Sequence, residues 1–125
     1  MTRINVAIKP KELSSKHLIA EHREIKRIPN QIKKGRYNLK GIPDQFTLGT
    51  GHVKFFYNKL AYLHQRQSLL YFECLRRGFN VTNYDQCYDD LPSDLYHNYQ
   101  ETEQDRKIIL ARLKEKDEDY YKKLA

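Results

Sequence analysis

Apolar residues recur at threes, fours and sevens from Val53 through Phe56, Leu60, Leu63, Leu70 and Cys74. That spacing collects one side of an α-helix. Tyr57, Tyr62, Tyr71 and Phe72 widen the apolar side, so the stretch from His52 is predicted to form the central, most buried helix, with Gly78 placed as its C-terminal cap. Upstream, Ser14 or Ser15 can cap a helix beginning near Lys16, because a serine hydroxyl accepts from the free N–H groups of the first turn. Pro29 has no N–H to donate and biases Ile28 away from helical geometry, so this helix is expected to end or kink there, with Gly35 closing the segment. Downstream, Thr102 and Asp105 have the spacing of a capping box, and Ile108, Ile109 and Leu113 give a third helix its apolar face. Residues 36–50, with Gly41, Pro43 and Gly49, and residues 79–99, with Pro92 and four tyrosines, read as irregular connections. No stretch alternates convincingly as a strand. The expected architecture is all-α: one domain over residues 1–125, with three main helices joined by long irregular connections.

A chain of 125 residues suits one helical core rather than two. No run approaches the ~20 apolar residues of a membrane span. Lys9, Lys11 and Glu12 arrive before an apolar leader could form, so a cytoplasmic, nucleoid-associated protein is expected. Cys74 and Cys87 have neither zinc-finger nor CxxC spacing and read as free thiols, Cys74 as a small core residue. The five histidines form no ligand array, so neither a metal nor another cofactor is expected.

Charge divides the chain unevenly. Residues 1–66 carry 14 Lys/Arg against 4 Asp/Glu, whereas residues 67–125 carry 9 against 12. A basic N-terminal half favours an anionic partner, with nucleic acid the first candidate. Taken at about 100° per residue, the helix from Lys16 places Lys16, His17, Arg23, Glu24 and Arg27 on one side around the small gap left by Ala20. Cations that share a face can engage adjacent phosphates together. A solvated helix face with Glu24 neutralised by neighbouring arginines accounts for the same pattern. Arg112 and Lys116, four apart on the third helix, either extend that basic surface or form a solvent-facing pair beside Glu115.

The GTGH stretch at 49–52 could offer helix-terminal amides to a phosphate, but it lacks a dinucleotide or P-loop pattern and reads as a backbone turn. The aromatic run at 55–72 has core spacing. Tyr120 and Tyr121 beside Lys122 and Lys123 could rest on a sugar-phosphate backbone or dock the C-terminus. At the other end, Thr2 is small enough for Met1 to be trimmed, which would expose an α-amine. Such an amine has a reference pKa of ~7.7–8.0 against ~10.4 for lysine, so more of it is neutral and nucleophilic near pH 7. It can attack a sugar carbon to form a Schiff base, although most Thr-initiated chains do no chemistry.

The words MTRIN, EL at 12–13, HLIAEHREIKR, LGTGHVKFFYNKL, RQ at 66–67, ECLRRGFN and ARLKEK occur in this order over nearly the whole chain. Together they resemble the pyrimidine-dimer DNA glycosylase family. That resemblance implies a compact three-helix domain whose N-terminal segment runs between helices. It implies that the α-amine of Thr2 attacks the deoxyribose of the damaged nucleotide, that Glu24 is the essential acidic residue, and that elimination of the 3′ phosphate follows. It further implies phosphate contacts from Arg3, Arg23, Arg27, Arg112 and Lys116. His17 falls on the family's histidine, while Lys16 stands where a phage member of that family has glutamine and His22 where it has tyrosine. The implied partner is double-stranded DNA containing pyrimidine dimers, bent with a nucleotide extruded. No cofactor and no membrane are implied, and a monomer suffices. Two other readings stand beside this one: a non-catalytic helical DNA-binding protein, and the same chemistry on ring-opened purines or abasic sites.

Overall fold

The computed structural model describes residues 2–124. Its first helix, α1 (Ser15–Ile25), is capped by Ser14, whose hydroxyl accepts from the His17 N–H. The chain leaves the helix at Lys26 and resumes as α2 (Arg27–Lys33). The expected break at Pro29 therefore lies three residues earlier. Pro29 has no N–H for the Ile25 carbonyl, so α1 ends at Ile25, and the proline itself sits in the first turn of α2, where a missing donor costs nothing. At Gly35 (φ +69°) the Gly35 N–H bonds to the Ile32 carbonyl and the Arg36 N–H to the Gln31 carbonyl. This paired closure needs a left-handed residue, which glycine supplies.

The long helix predicted from His52 is two helices, α3 (His52–Phe55) and α4 (Leu60–Arg76). Lys59 leaves helical geometry at φ −129°, ψ 43°, and its ammonium bonds the Phe55 carbonyl and Asn58 Oδ1 while lying over the Phe55 ring. The apolar periodicity runs through the break because Phe55, Phe56 and Leu60 are all fully buried. Phe72 departs from expectation as well: it is 63% exposed, on the outer side of α4. Residues 79–101 are irregular apart from 3-10 turns at Asp85–Tyr88 and Ser93–Leu95. The Thr102–Asp105 capping box then opens α5 (Glu103–Lys116), with both reciprocal bonds at 3.0 Å. A last short helix, α6 (Glu118–Tyr121), follows. The fold is all-helical, with no strand among the described residues. No helix is long and apolar enough to cross a membrane.

The N-terminal segment is the unusual element. Ile4, Val6 and Ile8 are completely buried and Asn5 nearly so, although the segment belongs to no sheet. Buried backbone must find hydrogen-bond partners, and here side chains from three helices and a loop supply them. His52 Nε2 accepts from the Ile4 N–H, Glu101 from the Ala7 N–H, Arg66 donates to the Ile8 carbonyl, and Arg106 to the Ala7 carbonyl. The segment is thereby threaded between α1, α3, α4 and α5. At the other end Tyr121 is fully buried, and its hydroxyl accepts from the Ser14 N–H. The Tyr120–Tyr121 tail therefore docks onto the start of α1.

Candidate active site

Threading the N-terminal segment beside α1 and α5 leaves a cleft of about 390 Å³ between them. Arg3 and Asn5 come from the segment, Lys16, His17, Ala20, Glu21 and Glu24 from α1, and Arg112, Leu113 and Lys116 from α5, with Asp117 at its end. Ala20 is the small residue around which the α1 side chains open. Of the sequence-derived candidates, the cleft gathers Arg3, Lys16, His17, Glu24, Arg112 and Lys116.

The other three lie elsewhere. Arg23 projects outward, with its side chain 58% exposed, and approaches Glu24 at 3.5 Å. Arg27 and Thr2 line a neighbouring hollow of about 550 Å³ together with Asn30, Gln31, Lys34 and Arg36. Of the expected basic face, Lys16, His17 and Glu24 thus line one hollow and Arg27 another. Arg27 opens α2, separated from the Ile25 end of α1 by Lys26 alone. A third depression, bordered by Gly49 and α5, again uses Arg3 and Arg112. Arg3 therefore walls both this depression and the main cleft. Met1, whose trimming the sequence leads us to expect, lies outside the described residues.

The electrostatics are those of a crowded cationic surface, with Glu24 on α1 and the exposed Asp117 at the end of α5 as its reachable acids. Burial lowers the Arg3 pKa below its ordinary value, the Arg112 charge lowers it further, and Glu115 and Glu24 oppose both. Arg112 is steadied by Glu115 at 3.0 Å. Burial, and then Lys16, lower the His17 pKa, which favours its neutral ring. His17 Nδ1 lies 2.6 Å from the Tyr121 hydroxyl, and the two rings stack at 5.5 Å. Glu24, with its side chain 15% exposed, is walled but reachable. Such a cleft can hold phosphates on Arg3, Lys16, Arg112 and Lys116 while offering a carboxylate to a cation that forms between them.

Sequence reasoning missed the support beneath this surface. Glu21 is bound by Arg66 through two nitrogens, at 2.6 and 3.0 Å, and accepts from Asn5 Nδ2 at 2.8 Å. Burial opposes the Arg66 charge, but the Glu21 carboxylate overrides it and raises its pKa. Nothing local signals this pair, since its members are 45 residues apart. Among the described residues, no group of three or more His, Cys, Asp or Glu is placed to hold a metal ion.

A family model described as pyrimidine dimer DNA glycosylase matches residues 1–86, from the N-terminal segment through α4, and stops short of the α5 residues Arg112 and Lys116. With more than half of its length matched, the chain belongs to the pyrimidine dimer DNA glycosylase family.

Proposed function

We propose that this protein excises cyclobutane pyrimidine dimers from duplex DNA and then cleaves the strand as a lyase, using the α-amine that Thr2 presents once Met1 is removed. The observation that carries the reading is the cleft itself. The N-terminal segment forms one wall, so the residue after Thr2, Arg3, shares a cavity with Glu24, His17 and three further cationic side chains, Lys16, Arg112 and Lys116.

The amine nitrogen attacks C1′ of the deoxyribose, the C1′–base bond breaks, and the base leaves with its electron pair and takes up a proton. Opening of the ring C1′–O4′ bond gives an imine between C1′ and Thr2. Loss of a proton from C2′ then expels the 3′ phosphate by breaking the C3′–O bond. In this reading the Glu24 carboxylate stabilises the cationic sugar and moves the C2′ proton. Arg3, Lys16, Arg23, Arg112 and Lys116 hold the backbone around the lesion, with His17 at the cleft wall and Arg27 on the flank. Residues 1–125 act as one repair domain, because Arg106 on α5 ties Glu12 and the Ala7 carbonyl to the C-terminal half. One copy of the chain supplies every group named.

Borohydride reduction tests the reading. A Met-processed sample should give a covalent protein–DNA adduct on dimer-containing and abasic duplexes, and acetylation of the N-terminus should abolish it. No adduct from the processed wild-type protein removes the Thr2 mechanism. Duplex binding without any strand cleavage would favour a non-catalytic DNA-binding protein.

A further inference from the structure

Resting on that assignment of Thr2, we infer that His52 is a positioning residue: its imidazole latches the backbone of Ile4 and so sets where the Thr2 amine stands. The Ile4 N–H points to His52 Nε2 at 2.9 Å, and His52 Nδ1 lies 2.9 Å from the Thr47 carbonyl oxygen. An amide N–H can only donate and a carbonyl oxygen can only accept, so these partners fix the ring as the neutral Nδ1–H tautomer. Both nitrogens are committed. The ring is 4% exposed and is boxed edge-on by Phe46 and Phe56, each 5.4 Å away between centroids.

The GTGH stretch acquires a purpose from this. Gly49 and Gly51 both take positive φ, and a Cβ on Gly51 would stand 3.0 Å from Pro43 Cγ. The tight turn they form returns the Thr47 carbonyl to the ring of His52. That carbonyl selects the tautomer able to accept from Ile4. The two glycines thus serve the N-terminal segment, and no phosphate need sit on the turn.

The latch sits two residues from the proposed nucleophile, a reach of at most ~7 Å of extended chain. The next anchor is Asn5, bound to Glu21. Without His52 the free chain lengthens by one residue, and a displacement of about 1 Å at a reacting atom costs on the order of 100-fold in rate. Protonation would have the same effect, since the ring would then present a second N–H to the Ile4 N–H. Burial of His52 holds its pKa down; the Thr47 bond and Glu21 on α1 oppose this, and Arg3 on the segment reinforces it.

The test combines a spectroscopic and a kinetic readout on the full-length, Met-processed protein. In ¹⁵N-labelled wild type, a through-hydrogen-bond N–N coupling should link the Ile4 amide to His52 Nε2. At saturating abasic duplex, His52→Leu should lower the borohydride-trapping rate about 10- to 100-fold with duplex affinity unchanged. His52→Gln, whose amide can both accept from Ile4 and donate to Thr47, should restore most of the rate. It should also remove the loss of trapping rate toward acid pH that protonation of the His52 ring is expected to cause in wild type. Absence of the coupling, or wild-type trapping by His52→Leu, overturns the latch. Should His52→Leu fail to fold, an acid limb in His52→Gln identical to that of wild type overturns it instead. A wild-type sample that shows the coupling but traps no imine overturns the Thr2 chemistry and leaves the latch as a structural anchor.

Discussion

Glu21 and Glu24 stand three residues apart on α1 and both border the cleft, yet they are held in opposite ways. Glu21 is buried against Arg66 at 2.6 Å, whereas Glu24 keeps a looser 3.5 Å approach to the exposed Arg23. One carboxylate is consumed by the fold and the other is left to the cleft.

Glu24→Gln should therefore separate chemistry from binding. The amide keeps the volume and loses the negative charge, so catalysis of base release and strand cleavage should fall by about 10²-fold or more. Duplex affinity measured by gel shift should hold or improve slightly, because a negative charge leaves a phosphate-binding surface. Parallel loss of affinity and activity would make Glu24 a structural partner of the arginines.

Arg66→Met should act on stability first. Removing the guanidinium leaves Glu21 charged, buried and unpaired, and breaking a buried pair in this way costs about 3–5 kcal/mol. It also orphans the Ile8 carbonyl. The urea midpoint should drop accordingly. The double variant Arg66→Met with Glu21→Leu should recover a substantial part, because neither charge then remains in the core. A double variant no more stable than Arg66→Met would show that the pair's bonds to Asn5 and Ile8, rather than the stranded charge, set the cost.

What could be read in the sequence follows the reach of the determinants. Ser14, Gly35, Gly78 and the Thr102–Asp105 box act within one helical turn, and each caps the helix its neighbours suggest. Pro29 signals the break at Lys26 but not its position, whereas the break at residues 56–59 is hidden because apolar spacing continues across it. Phe72 illustrates the same limit: periodicity marks an apolar side but does not say how far burial extends around it. In the cleft, Lys16, His17 and Glu24 share a side by helical geometry alone. Bringing Arg112 and Lys116 to them required the packing of α5, and the roles of Arg66 and His52 depend on partners 45 and 48 residues away.

Arg27→Ala should weaken binding without touching the chemical step. Arg27 flanks the hollow beside Thr2 and is absent from the cleft that holds Glu24. If it meets one phosphate, its removal should raise Kd and reduce the slope of log K against log salt by about one unit. The single-turnover rate at saturating DNA should remain near wild type. An unchanged salt slope takes Arg27 out of the interface, and a fallen rate at saturation would place it against the reacting sugar.

Acid stability should depend measurably on Glu73. Hydrogen bonds from Arg76, and then from Arg77, hold its pKa at about 2, against burial, from an ordinary 4.5. Arg77 in turn donates to the carbonyls of Pro10 and Leu13, which tie the end of α4 to the chain entering α1. A carboxylate depressed in the folded state binds its proton more readily when unfolded. Its stabilisation is therefore complete above pH 4.5 and is lost as the pH falls through about 2. Unfolding free energies of wild type should decline across that window, and Glu73→Gln should be less stable at pH 6 with a shallower decline. Parallel curves for the two proteins would mean that Arg77 keeps its carbonyl contacts without the carboxylate, and that the acid sensitivity of this fold arises at another ion pair.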